Sequence, residues 1–145
     1  MGIKRILVAV DGSENAARAV KVASEIAKNN EAELAILHVV TIPGSVYSGN
    51  VPVPLDKIEG EMRVSGESFV ATAVSIAQER GIKARTAITQ RMDSPVRGIT
   101  DYSNENKIDL IVVGTRGLGG FKRLLLGSVA SGVVQYAHCS VLVVR

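Results

Sequence analysis

Five glycines lie within fourteen residues near the end of the chain, in the segment Gly114-Thr-Arg-Gly-Leu-Gly-Gly-Phe-Lys-Arg-Leu-Leu-Leu-Gly127, and Ser128 follows. Glycine gives the backbone access to positive φ angles and lets it approach a ligand closely. Successive free N–H groups in such a segment form a concavity that binds anions. A helix starting near Ser128 would add N–H groups and a dipole that favour phosphate. The segment therefore predicts a phosphate site; the alternative is a flexible connection capped by Ser128.

The charge pattern agrees with an anionic ligand. Residues 110–145 contain four basic residues and no acidic one, and Arg116 lies within the glycine-rich segment itself. The basic residues do not form one run, and aromatic residues make up only 3% of the chain, so we expect no nucleic-acid partner. Two other phosphate motifs are excluded. The sequence has no Gly-x4-Gly-Lys-Ser/Thr string, and no Gly-x-Gly-x-x-Gly follows the first strand.

The rest of the chain alternates between strand-like and helix-like patterns. Apolar runs rich in Val, Ile and Leu predict five strands, at 3–10, 33–40, 82–89, 108–113 and 141–144. Helical spacing of apolar residues and capping signals predict four helices, at 14–30, 55–80, 94–106 and 128–137. Three of the four prolines lie in 41–54, which predicts a loop. The alternation predicts a single domain over 1–145, an α/β fold with three layers (α/β/α) around a five-stranded parallel sheet ordered 3-2-1-4-5.

This strand order predicts where a ligand binds. In a doubly wound sheet the site lies beyond the carboxyl ends of the strands, where the winding reverses. The reversal here falls between strands 1 and 4. Strand 1 leads into Asp11-Gly12-Ser13, and strand 4 leads into Gly114-Thr-Arg-Gly117. We therefore expect these two turns to face each other across one crevice.

The spacing Gly114-x2-Gly117-x9-Gly127-Ser128 resembles the Gly-x2-Gly-x9-Gly-Ser/Thr motif of the universal stress protein family, in its ATP-binding branch. Similar segments extend along the chain, at Ile6 to Ser13, at Leu37-His38-Val39 and at Ser140 to Val144. The resemblance implies a Rossmann-like fold of the adenine-nucleotide-hydrolase type. It also implies a cytoplasmic ATP-binding protein that acts as a nucleotide-dependent regulator in the stress response, through a regulatory protein partner that the residues do not identify.

The resemblance further implies roles for individual residues. Gly114 and Gly117 correspond to the glycines that let the loop pass the ribose and phosphates. Gly127, Ser128 and the N–H of Val129 correspond to the turn that holds phosphate.

On the opposite wall, Asp11 corresponds to the acidic residue near the ribose and a bound Mg²⁺ or Mn²⁺. The alternative for Asp11 is a helix-start carboxylate that the dipole stabilises. Ala9, Val10 and Val39 correspond to the backbone that lines the adenine. We add Arg116 to the predicted site because its positive charge favours a phosphate.

An enzyme is the less favoured interpretation. Phosphoryl transfer needs a metal set, a positioned water and charge stabilisation at the γ-phosphate. Asp11 is the only evident carboxylate at the predicted crevice, and no acidic residue follows Asp109. We expect no catalytic residues and at most slow ATP hydrolysis. The alternatives to a nucleotide-dependent regulator are a slow ATPase and a stress scaffold that works without nucleotide.

The remaining features concern location, assembly and single residues. No apolar run approaches the roughly 18–20 residues that span a bilayer, so no membrane segment is expected. A single cysteine, Cys139, excludes an internal disulfide framework and favours a reducing cytoplasm. An apolar edge strand at 140–144 predicts a homodimer, which the resemblance also implies. We expect His38 to pack or bond locally, and Cys139 and Met62 to be buried in the core.

Overall fold

A computed structural model describes residues 2–42, 54–91, 94–116 and 126–145. Within these ranges the elements alternate as the sequence predicts. They are β1 (Arg5–Ala9), α1 (Glu14–Asn30), β2 (Glu33–Thr41), α2 (Leu55–Glu79), β3 (Arg85–Arg91), α3 (Pro95–Glu105), β4 (Leu110–Gly114), α4 (Ser128–Tyr136) and β5 (Ser140–Val144). The predicted glycine-rich loop falls largely on 117–125, and most of the predicted loop at 41–54 falls on 43–53; both stretches lie outside the described residues.

The five strands form one parallel sheet in the order β3-β2-β1-β4-β5, which confirms the predicted order 3-2-1-4-5. In the register of the central strands, Leu7 of β1 lies between Ala35 of β2 and Ile111 of β4. Among the strands of the described ranges, β5 pairs with β4 alone and forms an edge of the sheet. Parallel strands need crossover connections, and the helices between them supply these connections.

Alternate residues of each strand face opposite helical layers. One buried cluster joins Ile6 and Val8 of β1 to α1 and α2, and a second joins Leu7 of β1 to α3 and α4. Because both faces of the sheet are covered, the central strands are apolar throughout, and burial of each Val, Leu or Ile contributes about 1.5–3 kcal/mol. The arrangement confirms the predicted three-layer α/β/α fold.

The capping signals at the starts of α1 and α3 are confirmed. Ser13 Oγ accepts the N–H of Ala16 at 3.1 Å at the start of α1. Ser94 Oγ accepts the N–H of Val96 at 3.1 Å, with Pro95 in the first turn of α3. Each cap satisfies one of the N–H groups that a helix start leaves without an intrahelical partner.

The predicted start of strand 3 at Ile82 is wrong, because β3 begins at Arg85. The N–H of Ile82 instead donates to Ala77 O at 3.0 Å, and Gly81 has φ +76°, so residues 81–84 close the end of α2. This left-handed glycine is a common helix ending. The strand then extends to Arg91, which lies opposite Thr41 of β2.

The predicted apolar stripe of α2 is confirmed only at its carboxyl-terminal end. Ala73 and Ala77 are buried, whereas Met62 is half-buried. The core assignment of Met62 is therefore wrong. Its side chain instead lines a cavity.

Candidate functional site

A cavity of about 720 Å³ opens at the carboxyl ends of β1 and β4, where the winding of the sheet reverses. Its size falls within the usual range of small-molecule sites, about 300–1,000 Å³. Every predicted site residue that the structure describes lines it: Ala9, Val10, Asp11, Val39, Gly114, Arg116, Gly127, Ser128 and Val129. The remaining predicted residue, Gly117, lies outside the described residues. The two turns that the strand order places together therefore do lie on one cavity.

The turn after β1 fixes one oxygen of Asp11. The N–H of Ser13 donates to Asp11 Oδ1 at 3.0 Å, and Gly12 between them has φ +86°. Glycine adopts this left-handed angle at little cost, whereas other residues are strained there. The carboxylate thus lies just before the start of α1, as its helix-start interpretation predicts, and it lines the cavity as well. Both interpretations of Asp11 are compatible with this geometry.

Two hydrogen bonds, one from a strand and one from a side chain, hold the backbone of Val10 just before that turn. Its N–H donates to Leu37 O at 2.9 Å, and its carbonyl accepts a hydrogen bond from His38 Nδ1 at 2.7 Å. The His38 ring packs edge-on against Phe69, with ring centroids 5.4 Å apart. The expectation that His38 packs and bonds locally is confirmed. The sequence analysis did not place His38 on the cavity wall, where it also lies.

Packing explains the glycine at position 114, whereas the sequence predicts that the segment's glycines give access to positive φ angles. Its φ is not positive, and a Cβ placed on it would lie 2.9 Å from the backbone carbon of Asn15. The glycine therefore lets α1 pack closely against the end of β4. Asn15 Nδ2 donates to Arg116 O at 3.2 Å, and its Oδ1 accepts a hydrogen bond from Arg18. Arg18 Nε also donates to Arg145 O at 3.0 Å, so side chains of α1 connect the cavity rim with the end of the chain.

The start of α4 forms the next part of the wall. Its N-cap is Gly127, with φ −69° and ψ 170° and no side-chain cap, so the interpretation of Ser128 as the cap is wrong. Ser128 is instead the first helical residue. The N–H groups of Ser128, Val129 and Ala130 have no acceptor within the helix, because the N–H of Ser131 is the first to reach back, to Gly127 O at 3.0 Å. These three residues line the cavity.

Backbone bonds join this helix start to β4 and β5. The N–H of Gly127 donates to Thr115 O, and the N–H of Thr115 donates to Val144 O at 2.8 Å. Thr115 itself is buried. The sheet therefore fixes the position of the α4 amino terminus, although the segment between Thr115 and Gly127 is largely outside the described residues.

Several lining residues were missed by the sequence analysis. Helix α2 contributes Met62, Ser65 and Phe69, and α3 contributes Pro95 and Ile99. Met62 and Phe69 are seven residues apart on one face of α2, and that spacing was interpreted as a core stripe alone. The sequence carries no signal that this face lines a cavity, because which residues border a cavity depends on tertiary packing.

The cavity is sparsely charged. Among the lining residues in the described part of the chain, Asp11 is the single carboxylate and Arg116 the single permanent cation. Across the described ranges there is no group of three or more His, Cys, Asp and Glu that could hold a metal ion.

The expectation that Cys139 is buried is wrong: it is half-buried, with its Sγ 3.5 Å from Ser103 Oγ.

At the opposite end of the sheet lies a carboxylate with a perturbed pKa. Asp109 Oδ2 accepts the N–H groups of Lys4 and Arg5 at 2.8 and 2.9 Å, and these bonds hold the pKa of Asp109 below its usual range. Hydrogen bonds to a carboxylate favour its charged form. The pair of bonds ties the start of β4 to the start of β1, so the role of Asp109 is structural.

With this geometry in place, comparison with known proteins identifies the family. The family model described as "Universal stress protein family" matches residues 2–145. The chain belongs to the universal stress protein family. It is 38% identical over 147 residues to universal stress protein YxiE of Bacillus subtilis, an alignment that covers 97% of this chain and 98% of that protein.

Solved structures of family members share the fold. The universal stress protein from Archaeoglobus fulgidus in complex with dAMP is 25% identical, with a TM-score of 0.74 and 100% of each chain covered. A universal stress protein in complex with cAMP is 26% identical, with a TM-score of 0.69, covering 100% of this chain and 98% of that one.

None of the helices in the described part of this chain has the length and apolar content to cross a membrane.

Proposed function

We propose that this protein binds ATP in the cavity between the Asp11 turn and the start of α4, and acts as a nucleotide-dependent regulator in the stress response. The observation that carries the proposal is the shared cavity. Residues selected from a sequence motif and residues selected from the strand order line the same 720 Å³ space. We treat residues 1–145 as one universal stress protein domain, in line with the family match over 2–145.

Support for an adenine nucleotide comes from both chemistry and relatives. Family members of known structure hold dAMP and cAMP. In this chain the cavity wall near Ala9, Val10 and Val39 is apolar, which suits a purine base. We assign these three residues to the adenine.

Phosphate belongs at the other side of the cavity. The free N–H groups of Ser128, Val129 and Ala130 and the dipole of α4 favour an anion there. Gly127 exposes backbone at the same place, and Arg116 supplies positive charge. We assign Gly114, Gly127, Ser128, Val129 and Arg116, together with Gly117, to the ribose and phosphates.

A divalent cation fits this site only together with the nucleotide. Asp11 Oδ1 already accepts the Ser13 N–H, and the described residues offer no cluster of acidic or His ligands. Mg²⁺ commonly keeps several waters and takes one or two carboxylates plus phosphate oxygens. We propose that Asp11 supplies the carboxylate to Mg²⁺ or Mn²⁺, which when bound would neutralise phosphate charge.

Holding ATP fits the site better than hydrolysing it. Fast phosphoryl transfer needs a positioned water and several charge-stabilising groups. In the described lining, Asp11 is the single carboxylate and Arg116 the single permanent cation. We therefore expect turnover well below about one per second, the low end of typical enzyme rates. A slow ATPase is the second candidate, because the cavity lining includes one carboxylate, Asp11, to hold a metal ion beside the phosphates.

Calorimetric titration with ATP, ADP, AMP and GTP, with and without Mg²⁺, tests the proposal. Gly127→Ala is the informative variant, because φ −69° accepts alanine without backbone strain and the added Cβ lies at the backbone that we assign to phosphate. Gly60→Ala is the matched control, since a Cβ there meets nothing within 4 Å. We expect ATP binding by the wild type and by Gly60→Ala, and weaker binding by Gly127→Ala. No ATP binding by the wild type would refute the proposal and favour a scaffold that works without nucleotide.

We also propose a homodimer formed through strand 140–144 in the cytoplasm. β5 is a sheet edge, and Val144 O accepts the Thr115 N–H, so the N–H and C=O of Val143 point away from β4. Such an unpaired edge is a template for a second copy. Val143→Pro removes the outward N–H, whereas Val143→Ala keeps it. Light scattering at micromolar concentration should find a dimer for wild type and Val143→Ala and a weaker dimer for Val143→Pro; a monomeric wild type would contradict the proposal.

A further inference from the structure

We propose that His38 is a positioning residue for Asp11: its Nδ1–H holds the Val10 carbonyl, and so fixes the turn that presents the Asp11 carboxylate to the ligand. This inference rests on the proposed binding of ATP with a divalent cation. It concerns a residue of β2 that the motif does not include, whereas Asp11 lies in the turn after β1.

The hydrogen bond defines the state of the imidazole. A backbone carbonyl can only accept, so the 2.7 Å contact between His38 Nδ1 and Val10 O requires a proton on Nδ1. In the neutral ring Nε2 is then the unprotonated nitrogen. The donor is preserved in the protonated ring as well, because both nitrogens then carry hydrogen.

The bond acts at a place where the chain has left the sheet. Ala9 is the last residue of β1, and among the described residues the backbone of Val10 makes two hydrogen bonds, from its N–H to Leu37 O and from His38 Nδ1 to its carbonyl. Val10 is buried, with 6% of its surface exposed. A buried carbonyl that loses its donor is costly, so the peptide between Val10 and Asp11 would turn to find another partner. The position of Asp11 depends on that peptide.

Helix α2 holds the imidazole in place from the other side. A Cβ on Gly66 would lie 2.5 Å from His38 Cδ2, so the ring is seated directly on the helix backbone. Phe69, one turn further, packs edge-on against the His38 ring and lies 2.5 Å from the position of a Cβ on Gly12. The two rings therefore fill the space between α2 and the Asp11 turn. A donor so confined has one orientation, and it sets one orientation of the turn.

The variants that test this role are His38→Asn and His38→Leu. Asn Nδ2 is bonded to Cγ, as His Nδ1 is, so asparagine can donate to Val10 O, whereas leucine has nearly the shape of asparagine and no donor. Both variants lose the imidazole and its contact with Phe69. A role in packing alone therefore affects them alike, and a role through the hydrogen bond separates them.

The first measurement needs no ligand. The Ser13 N–H that donates to Asp11 Oδ1 reports the geometry of the turn through its hydrogen exchange, and the Ile111 N–H in the central sheet reports global opening. We expect Ser13 to exchange about tenfold faster in His38→Leu than in His38→Asn, relative to Ile111 in each variant. Equal Ser13 exchange in the two variants would overturn the inference.

The second measurement is a double-mutant cycle on ATP affinity with Mg²⁺. Asp11→Asn keeps an oxygen for the Ser13 N–H and removes the charge. We expect His38→Leu to weaken binding about tenfold in the wild-type background and less than about twofold in the Asp11→Asn background, with His38→Asn close to wild type. Equal weakening in both backgrounds, or no rescue by asparagine, would overturn the inference. If the wild type does not bind ATP, the proposed function fails, and the exchange measurement alone decides the role of His38.

Discussion

Two glycine-to-alanine substitutions in the same helix should change stability in opposite directions. Gly60 and Gly66 both lie within α2, and alanine at either position gains helix propensity, about 1 kcal/mol. A Cβ on Gly60 meets nothing within 4 Å, whereas a Cβ on Gly66 lies 2.5 Å from His38 Cδ2 and 3.0 Å from Nε2. Ordinary carbon contacts are about 3.5–4.0 Å, so the ring must move by about 1 Å.

The ring cannot move by that amount and keep its other contacts. His38 donates to Val10 O at 2.7 Å and packs against Phe69, so displacement adds a lost hydrogen bond, about 0.5–1.5 kcal/mol, to an overpacking cost of about 1–3 kcal/mol. After subtraction of the propensity gain of about 1 kcal/mol, we expect Gly66→Ala to lower the free energy of unfolding by about 0.5–3.5 kcal/mol. Gly60→Ala should raise it by about 0.5–1 kcal/mol.

Urea unfolding followed by far-UV circular dichroism measures both effects as shifts of the midpoint at constant slope. The same pair in a His38→Asn background provides the control, because the smaller side chain leaves room for the Cβ and the penalty of Gly66→Ala should shrink there. A Gly66→Ala protein as stable as Gly60→Ala would refute the close packing of α2 on His38, and with it the confinement of the imidazole.

Three further substitutions test other parts of the fold. Gly114→Ala places a Cβ 2.9 Å from the Asn15 backbone carbon, which cannot rotate away, so thermal unfolding should show a loss of about 1–3 kcal/mol that Gly60→Ala does not share. Ser13→Ala removes the cap of the Ala16 N–H and should cost about 1 kcal/mol in the same assay; an unchanged melting temperature would contradict the cap. Asp109→Ala should destabilise the protein at pH 7 and not in strong acid. The bonds from Lys4 and Arg5 depress the folded pKa of Asp109, so its stabilisation is complete above the unfolded value of about 3.9 and is lost as the pH falls through the folded value. A difference between wild type and variant that persists unchanged to the lowest pH would contradict that role.

The sequence by itself determined the order of elements and the family. Apolar runs and capping residues such as Ser13 and Ser94 predict helices and strands because these signals are local, acting within a few residues. The alternation of strands and helices leaves few topologies, and the observed order β3-β2-β1-β4-β5 is the predicted one. The candidate crevice followed from that order alone.

Local signals failed where a partner from elsewhere decides the outcome. Gly114 is required by the approach of Asn15 and not by a positive φ, and Ser128 begins α4 without capping it, because Gly127 lies at the N-cap. Met62 belongs to an apolar stripe, but it is half-buried and lines the cavity.

The candidate site also combines features that the sequence predicts with features that depend on tertiary packing. The spacing of Gly114, Gly127 and Ser128 can be read directly from the sequence, and it predicts unpaired backbone N–H groups at a helix start. His38 of β2 donates to the Val10 carbonyl, and α2 packs closely against the His38 ring at Gly66. Both contacts form only when residues distant in sequence pack together. Packing depends on shape in three dimensions, which no local pattern encodes, and so only the tertiary structure decided how the Asp11 turn is held.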